Sequence, residues 1–242
     1  LSTSPGRAKV DAAGIPGRRS ASRPAGSSGP AAALREEAAE VFIQVIQGKV
    51  ADADGLRTAM DRWKRDLQPG ADGWLGMTGG ITDDGMCVMT VRFASEEAAR
   101  RNSARPEQGA WWAETEKCFD GPVTFFDCPQ VELWMQGGSD DAGFVQVMEG
   151  HTSDADRMRD LMNRYTDEMK RMRPEIIGAT IALHGDGAFV ETVYFTSEDE
   201  ARQHESMPPP AEMMEALQEN QSLMEDVTYL DLHEPWLVSP GR

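Results

Sequence analysis

Two stretches 102 residues apart carry nearly the same text: FIQVIQGKVADADGLR, Phe42 to Arg57, and FVQVMEGHTSDADRMR, Phe144 to Arg159. The offset persists without a gap to Arg100 and Arg202, with about 22 of 59 aligned positions identical. A shift to 104 then aligns VTFFD, Val123 to Asp127, with VTYLD, Val227 to Asp231, so the second copy holds two extra residues in its late helical region. Whatever one copy of about 95 residues folds into is therefore built twice, and each copy must form a unit of its own. The boundaries expected are a disordered basic tail over 1–38, a first repeat over 39–136, a linker over 137–142 and a second repeat over 143–238.

Each copy shows the same alternation of periods. Phe42 to Gln47 is apolar and β-branched and stops at Gly48, which suits a short strand. Asp52 or Asp54 can cap the helix that follows, where Leu56, Met60, Trp63 and Leu67 recur at helical spacing; Met158, Met162, Tyr165 and Met169 repeat it. A hairpin comes next, Trp74 to Ile81 and Met86 to Phe93 around Asp83-Asp84-Gly85, matched by Ile176 to Leu183 and Ala188 to Phe195 around His184-Gly185-Asp186-Gly187. Ser95 and Ser197 cap a second helix whose first turn is acidic. Pro106, and Pro208-Pro209-Pro210 in the second copy, break that helix and start another. VTFFD and VTYLD close the units.

The order β-α-β-β-α-β is the ferredoxin-like unit, a four-stranded antiparallel sheet with helices on one face. The other face must also be covered, because the strands are apolar on both sides. Ile43 and Val45 point one way and Phe42, Gln44 and Ile46 the other, as do Val145 and Val147 against Phe144, Gln146 and Met148. Packing the two bare sheet faces on each other satisfies both copies. The fold class expected is α+β, an intramolecular pseudo-dimer of two ferredoxin-like units, with a further homodimer as an open alternative.

Charge is uneven. Residues 1–33 sum to +4, from Arg7, Lys9, Arg18, Arg19 and Arg23 against Asp11, and the remainder to −21. That balance excludes nucleic acid and anionic membrane surfaces as partners through charge attraction. No run reaches the ~18 consecutive apolar residues of a membrane helix. Cys87, Cys118 and Cys128 are odd in number and lack C-x-x-C spacing, which argues for free thiols, no zinc site and a cytoplasmic location. The tail cannot bury enough apolar surface to order itself; its Arg and Ser content resembles an organelle transit peptide, and with Leu1 rather than Met at the start the expectation is an upstream-extended reading frame or a non-functional extension. Gly76-Met77-Thr78-Gly79-Gly80 lacks the lysine of a phosphate-binding loop, and neither a nucleophile elbow nor a zinc helix motif is present.

The duplication, the strand order, and the S-E-E-A-A-R and S-E-D-E-A-R helix starts after an aromatic-ending strand resemble the dimeric α/β-barrel superfamily. Within it the resemblance is closest to the antibiotic biosynthesis monooxygenase group, over about Val41 to Trp236. It implies two units joined as a barrel with a small-molecule cavity in each. It also implies oxygenation of electron-rich aromatic polyketides by O₂ without metal, flavin or other cofactor, the substrate carbanion supplying the electrons. The partner implied is a small hydrophobic or aromatic molecule. A neighbouring family binds and degrades haem, which would require one of His151, His184, His204 or His233 as axial ligand; no spacing supports that. A non-catalytic small-molecule binder or stress-associated protein of the same fold is the alternative.

Family members use Asn, Trp and Arg or His around the substrate enolate, and matching positions here give the candidates. Asn102, replaced by His204 in the second copy, is the catalytic candidate in each helix, as donor or base; a surface histidine is the structural reading of the latter. Gln44 and Gln146 can hydrogen bond a ligand oxygen or simply brace a neighbouring strand. Trp111 and Trp112 can stack on a planar ligand or pack a short helix. Tyr194, with Glu191, is expected to line the second cavity. No metal ligand set is expected.

Overall fold

The computed structural model describes residues 41–241. The expected basic tail over 1–38 lies outside the described residues. The first copy runs β1 (Phe42–Lys49), α1 (Ala53–Asp66), β2 (Trp74–Ile81), β3 (Met86–Phe93), α2 (Glu96–Ser103), α3 (Pro106–Thr115) and β4 (Thr124–Cys128), then β5 (Gln130–Trp134). The second repeats that order with β6 (Phe144–Thr152), α4 (Ala155–Met172), β7 (Ile176–His184), β8 (Ala188–Phe195), α5 (Glu198–Glu205), α6 (Ala211–Ser222) and β9 (Met224–Leu232), then β10 (Trp236–Val238).

Local chemistry accounts for the element ends. The carboxylate of Asp52 accepts from Gly55 N and that of Asp154 from Arg157 N, so the first unpaired N–H groups of α1 and α4 are satisfied at equivalent places. Ser95 and Ser197 do the same for α2 and α5. Pro106 occupies the first turn of α3, where a missing N–H costs nothing. Gly85 takes φ +80° in the first hairpin turn, a region in which a side chain is strained.

Sheet pairing is antiparallel throughout, and the two registers match: Phe42 faces Phe93 and Phe144 faces Phe195. Each sheet has five strands rather than the expected four, in the orders β10-β2-β3-β1-β4 and β5-β7-β8-β6-β9. The fifth strand comes from the other half. β5 continues past β4 to pair with β7, Leu133 opposite Thr180, and β10 continues past β9 to pair with β2, Leu237 opposite Thr78. The exchange covers the β2 and β7 edges, whose unpaired N–H and C=O groups would otherwise template association. It also means that repeat and folded half do not coincide, since residues 130–134 lie within the expected first repeat, 39–136, but hydrogen bond into the second sheet.

The helix-free faces of the two sheets meet. Ile43 and Val45 pack with Val145 and Val147 in one fully buried cluster that also holds Val88, Val190, Tyr194 and Leu232. Each such side chain contributes about 1.5–3 kcal/mol by leaving water. Positions that correspond in the two copies touch across this layer: Gln47 donates to Glu149, and Arg92 Nη1 donates to Tyr194 OH at 3.1 Å. Corresponding residues meet only near an axis that relates the halves, so the pair is arranged as a two-fold dimer would be.

On the other faces, helices cover the sheets, and the halves differ. In the first, Phe42, Leu56, Trp63, Met89, Phe93 and Trp111 belong to one continuous core. In the second, the corresponding core is divided into a Met158–Ile181–Leu183–Phe189 group and a Phe144–Phe195–Ala201 group. The division falls at Glu191, which stands where the first half has Met89. Among the described residues no helix is long and apolar enough to cross a membrane. The three cysteines are unpaired, and burial pushes the Cys87 and Cys128 thiols up to about 12.

Candidate functional site

Each half has a cavity between its sheet and its helices. In the first half it measures about 250 Å³ and is walled by Trp63 from α1, Trp74 from β2, Phe93 from β3, Trp111 and Trp112 from α3, and Phe125 from β4. The rings brace one another: Trp63 lies 5.2 Å from Trp74 and 6.5 Å from Trp111, and Trp112 meets Phe125 edge-on at 5.0 Å. Trp111 is held by its indole N–H, which donates to Ala59 O at 2.8 Å, so the wall is fixed by backbone and not by packing alone. The indole N–H of Trp74 is buried with no partner.

Three amides reach the same cavity, and each spends one end on the protein. Gln44 Nε2 donates to Asp127 at 2.8 Å, which leaves its carbonyl as an acceptor. Gln108 Oε1 accepts from Trp63 Nε1 at 2.8 Å, which leaves its NH₂ as a donor. Asn102 is buried; its Oδ1 accepts from Arg105 Nη1 at 3.0 Å, and the same nitrogen holds Leu67 O at 3.0 Å. The guanidinium fixes the amide and draws charge from it, so the free Asn102 NH₂ is a strengthened donor. Among the described residues no ionisable side chain lines this cavity.

The structure thus brings Gln44, Asn102, Trp111 and Trp112 together. It does not do so for the candidates of the second half. Gln146 braces β6 to β9 by donating to Asp231 at 2.8 Å, the counterpart of the Gln44–Asp127 bond, and does not line the cavity there. His204 lies with Nδ1 2.9 Å from Glu175 Oε2 and 3.1 Å from Glu200 O, tying α5 to the approach of β7. Tyr194 is fully buried between the sheets, its OH 2.7 Å from Thr78 Oγ1. The expectation that Tyr194 and Glu191 share a cavity fails on strand geometry, because residues three apart in a strand face opposite ways.

Glu191 is the one of the two that lines the second cavity, about 190 Å³, with Met158, Met162, Tyr165 and Arg173 from the α4 side, Met213 and Asn220 from α6, and Trp134 from the exchanged strand β5. It was legible as a charge among Phe189, Val193 and Phe195, its neighbours on one strand face. On the sheet it is flanked by Met148 and Ile181. With no charged neighbour, burial alone pushes its carboxyl up to about 7.

That shift has a stability consequence. A carboxyl near 7 in the folded chain and near 4.5 unfolded binds more protons when folded between those values, so Glu191 lowers stability progressively as pH rises from 4.5 to 7. The cost above pH 7 is at most about 3 kcal/mol. Glu191→Gln is therefore expected to raise the urea midpoint at pH 8 and to leave it nearly unchanged at pH 4. Equal gains at both pH values would show that the carboxyl is not buried in this way.

The exchanged strands complete both sites. Trp134 Nε1 donates to Thr166 of α4 at 2.9 Å and closes the second cavity. Trp236 of β10 lies under Arg57 at 5.6 Å and lines a cleft of about 200 Å³ that shares Met60, Trp63, Trp74 and Met77 with the first cavity. Among the histidines, none lines either main cavity. His151 and His184 open on a separate cleft at the end of the inter-sheet layer, and His233 pairs with Glu198 at 2.6 Å.

No family profile matches the sequence, and no curated protein does so. Solved structures do resemble it. A candidate monooxygenase from Lactobacillus acidophilus aligns with a TM-score of 0.64 at 13% identity over 84% of this chain and 97% of its own. One from Fusobacterium nucleatum gives 0.64 at 9% identity, over 84% and 96%. An anthrone oxidase-like protein gives 0.59 at 7% identity, over 84% and 94%. Each match spans both halves, and at such identity what is shared is the fold: two ferredoxin-like units in one chain, paired through their sheets.

Proposed function

We propose that the protein oxygenates a small, electron-rich aromatic compound of polyketide type in the cavity of its first half, with O₂ and without a resident cofactor. The observation that carries this reading is the pairing of four indoles with three half-committed amides around one space large enough for fused rings. Indole faces hold a planar ligand, and the free NH₂ groups of Asn102 and Gln108 suit an oxygen on which negative charge develops. Lack of an ionisable group restricts the substrate to compounds acidic enough to ionise with that help. An anthrone fits: its carbanion reduces O₂, the resulting hydroperoxide loses water, and a quinone remains.

The test is O₂ uptake and quinone absorbance with purified protein and an anthrone panel. The expected result is saturable turnover above the uncatalysed rate, reduced on the order of 100-fold by Asn102→Ala. Quinone formation at the background rate throughout would remove the oxygenase reading. Saturable binding without turnover would instead support the non-catalytic binder, which the absence of a base from this cavity favours. Haem finds no support in the placement of the histidines, since none reaches either cavity.

A further inference from the structure

The second half carries a feature that the aromatic site does not use. Its helix-side core is interrupted where Glu191 stands, although Met89 at the corresponding place keeps the first core continuous. Glu191 has no hydrogen-bond or ion-pair partner among the described residues. Two further polar groups at the same cavity lack partners: Asn220 Oδ1 and Arg173 Nη2 are both buried and unbonded. Arg173 has its Nε on Glu175 at 2.5 Å and its guanidinium 5.9 Å above Phe195. Four residues of strand, roughly 13 Å, separate Phe195 from Glu191. An apolar cavity thus ends in a cation on one side and a lone carboxyl on the other, with an unfilled acceptor between its walls. Such groups cost stability and are kept where something fills them.

We propose that this cavity is a second, separate catalytic site, in which Glu191 is a general base toward small, largely apolar carbonyl compounds that carry an acidic α-hydrogen. The C–H bond breaks, its electron pair enters conjugation with the carbonyl to give an enolate, and the proton passes to a Glu191 oxygen. Return of that proton to a different carbon completes an isomerisation that needs no oxidant, reductant or co-substrate. Arg173 takes an acceptor group at the far end of the ligand, and Asn220 Oδ1 takes a hydroxyl or N–H. The ionisable groups that share the cavity are Arg173 and Tyr165; β6 and β7 flank the carboxyl with Met148 and Ile181, and α6 faces it with the neutral Asn220. The carboxylate is therefore the group whose ionisation governs activity near neutrality.

The probe is 5-nitrobenzisoxazole, in which removal of one carbon-bound proton forms the nitrile, breaks the N–O bond and releases a coloured phenolate. Expected is saturable turnover by the full chain, with kcat rising through pH 7 and falling at least 100-fold in Glu191→Gln. Glu191→Asp, which keeps the carboxyl but shortens its reach, is expected to retain part of kcat. Circular dichroism of both variants confirms an unchanged fold. Wild-type rates in Glu191→Gln, a kcat independent of pH, or no saturable turnover by the native chain would each overturn the proposal. The reaction runs unchanged under argon, so its outcome is independent of the oxygenase reading.

Discussion

Val45→Asp is expected to unfold both halves together. Val45 is wholly inaccessible to solvent in the layer between the sheets, where it packs with Val145 and Val147 of the other copy. A carboxylate placed there leaves water, and Arg92 in the same layer is already bonded to Thr78 and Tyr194; the carboxylate either stays ionised or takes up a proton at a cost of several kcal/mol. That is comparable with the entire stability of an ordinary domain, roughly 5–15 kcal/mol. Leu133→Asp is the control, since Leu133 on the exchanged strand is 51% exposed, and its effect should stay within about 0.5 kcal/mol. The measurement is a chemical melt followed by tryptophan fluorescence, in which every indole of the first cavity reports on a change made in the inter-sheet layer. Native-like stability in Val45→Asp would mean that the two sheets do not rely on each other.

Tyr194→Ala is the second large effect, a loss of about 3–5 kcal/mol from the cavity left by a fully buried ring. Tyr194→Phe keeps the ring and removes only the hydroxyl, which sits 2.7 Å from Thr78 Oγ1 and 3.1 Å from Arg92 Nη1. Its cost is about 1–3 kcal/mol, because Arg92 is buried and loses an acceptor. Urea titration separates the two variants. Neither should alter turnover of the benzisoxazole at a pH where the variant is folded, because the tyrosine points away from the second cavity. A change in KM with unchanged stability would return Tyr194 to the ligand.

Much of this architecture was legible in the text of the chain. Alternation in Phe42 to Gln47 placed Ile43 and Val45 on one face and Phe42 and Ile46 on the other, and those faces are the inter-sheet and helix-side cores. Helical spacing from Leu56 to Trp63, the serine caps and the Asp-Gly turn are also local, since residues a few positions apart already meet. The aromatic cavity was partly legible for a related reason. Asn102 on α2 and Trp111 and Trp112 on α3, close in the chain, reach the same space as Gln44.

What the tertiary structure alone decided concerns edges and the second cavity. QVELW and WLV are short strands with no signal of destination; which sheet they join depends on which edge stands open nearby, and that follows from the docking of the halves. The roles of Glu191 and Tyr194 turn on the parity of β8, which its alternation encodes, and on what lies beyond each face, which it does not. His204 occupies the helix position of Asn102 yet is drawn to Glu175, 29 residues earlier in the chain, by a charge the first copy lacks. Local periodicity encodes which side of an element is apolar. Only packing encodes which polar residue on that side is left facing empty space, because that depends on volumes and partners supplied from distant parts of the chain.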